Sequence, residues 1–129
     1  MPALEPMRGI RAVAQPAALD AARWTGDAVT VVRIAPDEAL GLGASRVEVD
    51  DPAAIVVDEA GFVGAWLDAA GLADVATHTE WPLPEARGTL AQGKIAGVPA
   101  KLLAGDPALL VTAAAYADEL VERLRWRAP

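Results

Sequence analysis

There is no cysteine in the 129 residues of this chain and only one histidine, His78. The first absence excludes a disulfide framework and thiol chemistry, and it fits a reducing compartment. With a single imidazole and no glycine-rich phosphate fingerprint, the commonest routes to nucleophilic, metal-assisted and nucleotide-dependent catalysis are missing too. Aromatic residues make up only 5% of the chain while hydrophobic residues make up 53%. Alanine, valine and leucine must therefore fill most of the interior. Small side chains bury little area each, so such a core is thin and gains stability from a partner that covers one face.

Basic residues are also scarce, with lysine only at Lys94 and Lys101 and a formal net charge of −7. That charge repels nucleic-acid phosphates and anionic lipid, so neither nucleic acid nor membrane is an expected partner, and it supplies a solvated acidic exterior. No apolar run is long enough to span a bilayer. The opening residues, MPALEPMRGIRAVAQP, place acid and proline where a secretory signal needs a basic start and an apolar stretch. A cytoplasmic location is the expectation.

The length is that of one domain, enough to bury roughly two-thirds of the surface exposed by the unfolded chain. Residues 1–15 hold Pro2, Pro6 and Gly9 without a sustained period and are expected as an N-terminal arm, leaving 16–129 as a single α+β domain. A short helix is predicted at 16–24, with Pro16 at an N1-like position. The β-branched run AVTVVRI at 28–34 predicts a strand closed by Pro36-Asp37, and EALGLG at 38–43 a second strand completing a hairpin. SRVEV at 45–49 alternates as a further, half-exposed strand. Ile55, Val56 and Val57 argue for strand, after which Phe62, Val63, Trp66, Leu67 and Ala70 recur at helical spacing up to Gly71, predicting a helix with a core-facing stripe. Residues 71–88 show the least regularity. Residues 89–103 offer two apolar runs split near Gly97, and 108–111 another strand. Thr112 is the expected N-cap of a last helix carrying Tyr116, Leu120 and Leu124, with Asp118, Glu119 and Glu122 ahead of Arg123, Arg125 and Arg127 as the helix dipole favours. The strand, strand, helix rhythm of both halves suits an antiparallel sheet with helices on one face, in the manner of a ferredoxin-like split βαβ sandwich.

Few residues carry chemistry. His78, in THTEWP, has no nucleophile or second ligand near it in sequence and reads as a surface residue. The acidic pairs Asp37-Glu38, Asp50-Asp51 and Asp58-Glu59 point to opposite faces of a strand and sit beside turns, which favours capping and solvation over metal binding. Gly93, Lys94 and Gly97 read as hairpin bends, because the terminal GK[ST] of a phosphate loop is absent. Trp81, Pro82 and Leu83 are the candidate interface. Prolines hold this segment extended, and Trp81 either presents its ring for recognition or packs over the edge of its own sheet. Trp24, Trp66 and Trp126 are expected in or near the core.

RIAPDEALGLG (33–43) together with TLAQGKIAGVPAKLLAGDPALLVTAAAYADELVERL (89–124) resembles the gamma subunit of heterotetrameric sarcosine oxidase, a family similar in turn to the folate-binding domains of aminomethyltransferase. Pro36-Asp37-Glu38-Ala39-Leu40, Thr89-Leu90-Ala91-Gln92 and Tyr116-Ala117 occupy the positions that carry the likeness. The resemblance implies an aminomethyltransferase-like fold and a cofactor-free accessory role, with flavin, dinucleotide and folate held by larger subunits. It assigns no catalytic, cofactor-binding or metal-binding residue here. The expected function is a non-catalytic accessory subunit or interaction protein, docking a larger chain such as a flavoprotein through an edge strand or the Trp81 loop. The alternative is a stand-alone binder of a folate-like small molecule between sheet and helices. Homo-oligomerisation and an enzyme using carboxylates alone stay open beside these.

Overall fold

Strand-forming segments outnumber helical ones along this chain, and the helices are short. The structure, a computed structural model, describes residues 2–126. Its elements run β1 (Glu5–Val13), α1 (Pro16–Asp20), β2 (Arg23–Ala35), β3 (Glu38–Glu48), β4 (Ile55–Leu67), α2 (Ala69–Thr77), β5 (Leu90–Ile95), β6 (Val98–Leu103), β7 (Ala108–Ala113), a 3-10 turn (Ala114–Tyr116) and α3 (Ala117–Arg123). The fold is α+β, built on a seven-stranded antiparallel sheet ordered β2-β3-β1-β4-β7-β6-β5. No helix among the described residues is long and apolar enough to cross a membrane. Contacts separate into two compact units, one of residues 7–60 and one of 2–6 with 61–126, so β1 and β4 each contribute to both.

In the unit of 7–60, β2 and β3 form the expected hairpin across Pro36-Asp37, with Ala35 opposite Glu38 and Val32 opposite Leu40. The two strands expected at 38–43 and 45–49 are one strand, β3. Gly43 lets it continue: its φ of +84° takes up the register shift opposite residues 26–30. Where an arm was expected, residues 5–13 form β1, paired with β3 from Gly9↔Leu42 to Val13↔Glu38. Its apolar face is made of Ile10 and Ala12, too sparse a pattern to stand out against the flanking arginines. α1 is shorter than expected and buries Leu19 against Ala12, Ala14 and Ala39. The small residues there are needed for space, since a Cβ on Gly41 would fall 2.2 Å from the Trp24 ring.

In the unit of 61–126, the helix expected over 62–70 is instead the second half of β4, registered with β7 from Phe62↔Ala113 to Leu67↔Ala108. Val63, Ala65 and Leu67 are buried at period two, while Phe62 and Trp66 fall on the other side and made the run look helical. The helix starts later, as α2, with Asp68 as N-cap accepting from the Gly71 amide at 2.8 Å; Gly71 lies inside this helix and does not end it. β5 and β6 form a hairpin whose two turn residues, Ala96 and Gly97, both have positive φ, 51° and 78°. Thr112 is not an N-cap. It is buried in β7, and its hydroxyl donates to the Pro99 carbonyl at 2.8 Å. Leu120 and Leu124 of the last helical segment are buried as expected, while Tyr116 is exposed. They join Val75 of α2 and the strand residues Leu67, Ile95, Val98, Leu102 and Leu110 in one core, so both helices of this unit cover the same face of its strands.

Candidate functional site

His78, Trp81, Gly93, Lys94 and Gly97, singled out separately along the sequence, line a single cavity of about 610 Å³ together with Arg123. α2 ends at His78, whose Nδ1 lies 3.0 Å from the Asp74 carbonyl and 3.1 Å from the Thr77 hydroxyl. The His78 carbonyl accepts from the Ala96 amide at 3.0 Å. Trp81 takes the second of its two expected positions: the ring lies over Gly93 of β5, and Nε1 donates to the Lys94 carbonyl at 2.8 Å. The Arg123 guanidinium donates to the Ala96 carbonyl at 3.2 Å and pairs with Glu119 at 2.8 Å. These groups staple α2, α3 and the β5–β6 hairpin together. Among the described residues no hydrogen bond joins the imidazole to a carboxylate, although Glu80 lines the same cavity. Leu83 is partly buried against the same core as Trp81, while Pro82 is exposed.

The acidic pairs do not converge on a metal. Among the described residues no group of three or more histidines, aspartates or glutamates is placed to hold one. Two of the pairs instead give a member to Arg11, a residue the sequence did not single out. Its Nε and Nη2 donate to Glu59 Oε1 at 3.0 and 2.7 Å, and Nη1 donates to Glu38. The hydrogen bond to Glu59, followed by the charges of Glu38 and Glu59, outweighs the effect of burial and raises the arginine pKa above its ordinary value. Asp51 accepts the amides of Gln15 and Ala53, each at 2.9 Å, and these bonds hold its carboxyl below the usual range. Glu48 is lowered as well, first by its hydrogen bond from Arg23, then by the charges of Arg23 and Arg46.

The most exposed apolar surface lies on the first half of β4. Ile55, Val56 and Val57 are 60%, 47% and 48% exposed. Adjacent strand residues point to opposite faces, so this segment is bare on both. Acidic Asp58 follows it directly and Asp50 lies in the turn that precedes β4, both exposed. The sequence identified the strand, but its bareness depends on what the fold leaves uncovered. Trp66, expected near the core, is 50% exposed, whereas Trp126 is buried and Trp24 packs on the small-residue cluster. Comparison with protein-family models, curated proteins and solved structures finds no match to this chain.

Proposed function

We propose that this protein is a non-catalytic interaction protein that docks a larger protein subunit through Ile55, Val56 and Val57. The carrying observation is three consecutive apolar side chains bare on both faces of a strand. Single exposed apolar residues are ordinary on a protein surface; a run on both faces of one strand is a patch that a partner covers. The partner presents an apolar strand or groove rimmed by lysine or arginine, complementary to Asp50 and Asp58. A second copy fits less well, because it brings a further net charge of −7 and the same acidic flanks.

The narrower form of this reading is an accessory subunit of a heteromeric flavin- and folate-dependent amine oxidase or demethylase, with an aminomethyltransferase-like fold and a cytoplasmic location. Its support is the resemblance of 33–43 and 89–124. Co-expression with the products of adjacent genes, followed by size-exclusion chromatography with light scattering, tests both forms. A stoichiometric complex is expected, with an interface of at least about 1,000 Å². Val56→Asp should weaken it by about tenfold or more, and His78→Ala should leave it intact. Flavin absorbance in the complex supports the narrower form. A strictly monomeric chain with every such product, or a complex indifferent to Val56→Asp, overturns the proposal.

A further inference from the structure

A second cavity, of about 640 Å³, opens where β4 passes into α2, and its lining includes Trp66, Asp68, Gly71, Asp74 and Pro107. It belongs to the unit of 2–6 with 61–126 and shares no residue with the docking segment Ile55–Val57. None of the described residues lining it is basic. The backbone at Asp68 is still extended, with φ −74° and ψ −178°, so the period-two alternation of β4 carries on through it. Trp66 and Asp68 therefore project to the same side, roughly 7 Å apart along the strand. The half-exposed indole offers a π-face and Asp68 a carboxylate beside it. Both carboxylates of the cavity are held in place. Asp68 Oδ1 accepts from the Gly71 amide at 2.8 Å, and Asp74 Oδ2 accepts from the Trp126 indole at 3.1 Å. Each keeps a second oxygen, and neither has an ion-pair partner among the described residues.

We propose that this cavity binds a small methylated ammonium ion, seated against the Trp66 ring with Asp68 as its counter-charge and Asp74 adding a second negative charge. An aromatic face attracts a cation through its quadrupole, and the attraction survives best for a cation that sheds its hydration easily. Methyl groups on nitrogen meet that requirement, and they also fill apolar contact with the indole. The cavity volume lies within the range of small-ligand sites.

Tetramethylammonium chloride is the probe, titrated into the ¹⁵N-labelled protein at constant chloride. The reporters are the indole N–H resonances of Trp66 and Trp126, the second reporting through its bond to Asp74. Saturable shifts with a dissociation constant on the order of 1–10 mM are expected. Trp66→Leu and Asp68→Asn should each weaken binding by about fivefold or more. Asparagine still caps α2 at position 68, so that variant stays folded, and a dispersed spectrum verifies it. tert-Butanol, neutral and of similar shape, should give no saturable shift at these positions. Absence of saturation by tetramethylammonium, equal binding of tert-butanol, or undiminished affinity in folded Asp68→Asn overturns the proposal.

Discussion

Replacing Arg11 with methionine tests whether the unit of 7–60 depends on one cation. The side chain is about one-third exposed, and its partners Glu38 and Glu59 are 23% and 18% exposed, so all three are partly withdrawn from water. Methionine keeps the aliphatic length and removes the charge, so Glu38 and Glu59 lose the hydrogen bonds and the counter-charge that Arg11 gives them. Hydrogen bonds to charged groups contribute about 1.5–3 kcal/mol each, and breaking a fully buried pair by removing one partner costs about 3–5 kcal/mol. Partial exposure lets water take the positions that Arg11 vacates on both carboxylates, so the loss expected here is about 2 kcal/mol. For a chain of this length that lowers the melting temperature by roughly 6–10 °C. Urea and thermal melts at pH 7, followed by circular dichroism, measure it. The double variant Arg11→Met/Glu59→Gln removes one of the two charges that Arg11 neutralises and should recover about half of the deficit or more. A single variant within about 0.5 kcal/mol of the parent refutes the reasoning. So does a double variant as unstable as the single one.

Two further outcomes follow from local geometry. Asp51 has a folded-state pKa below its unfolded one, so its contribution is present above about pH 4 and is lost as pH falls through the lowered value; Asp51→Ala should destabilise the protein at pH 7 and progressively less as the pH is taken below about 4, read by thermal melts across that range. Gly93→Val puts a branched Cβ 3.3 Å from the Trp81 ring, tighter than ordinary contact; the ring should lift from β5, break its bond to the Lys94 carbonyl and cost about 1–3 kcal/mol, seen as faster exchange of the Trp81 indole proton.

Element type was legible wherever one signal dominated. The run AVTVVRI, the Pro36-Asp37 turn and the glycine near residue 97 predicted β2, its turn and the β5–β6 bend, and the structure contains all three. Misreadings arose where both faces of a strand carry apolar residues, or where neither carries many. β4 holds Val63, Ala65 and Leu67 on one side and Phe62 and Trp66 on the other, so five apolar positions in six mimic helical spacing. β1 errs in the opposite sense. Its buried set is Ile10 and Ala12, and its second face carries Arg11, whose charge reads as solvent-facing until Glu38 and Glu59 arrive from β3 and β4. A buried or half-buried charge is defined by its partners, and those partners lie 27 and 48 residues away in sequence.

The candidate surfaces turn on the same distinction between what a residue is and what covers it. Trp81 directly precedes Pro82 and Pro84 follows two residues later, in a segment that no regular element claims, and local stiffness makes it look presented. What covers it is Gly93 of β5, the residue before the Lys94 whose carbonyl accepts the indole N–H, where the missing side chain leaves room for an indole to lie flat. Trp66 has the reverse history. It stands in a strongly apolar strand, yet the face it occupies at that end of β4 is left half-open, and Asp68 follows on the same side. Large aromatic rings need area more than they need an apolar neighbourhood in sequence, so a ring is buried where a glycine or alanine on a neighbouring element makes space. By that argument the exposed tryptophan of this chain is found by looking for the ring without a small residue opposite it. In register Trp66 faces Leu109, a bulky residue that is itself fully buried, and the indole is left to the solvent.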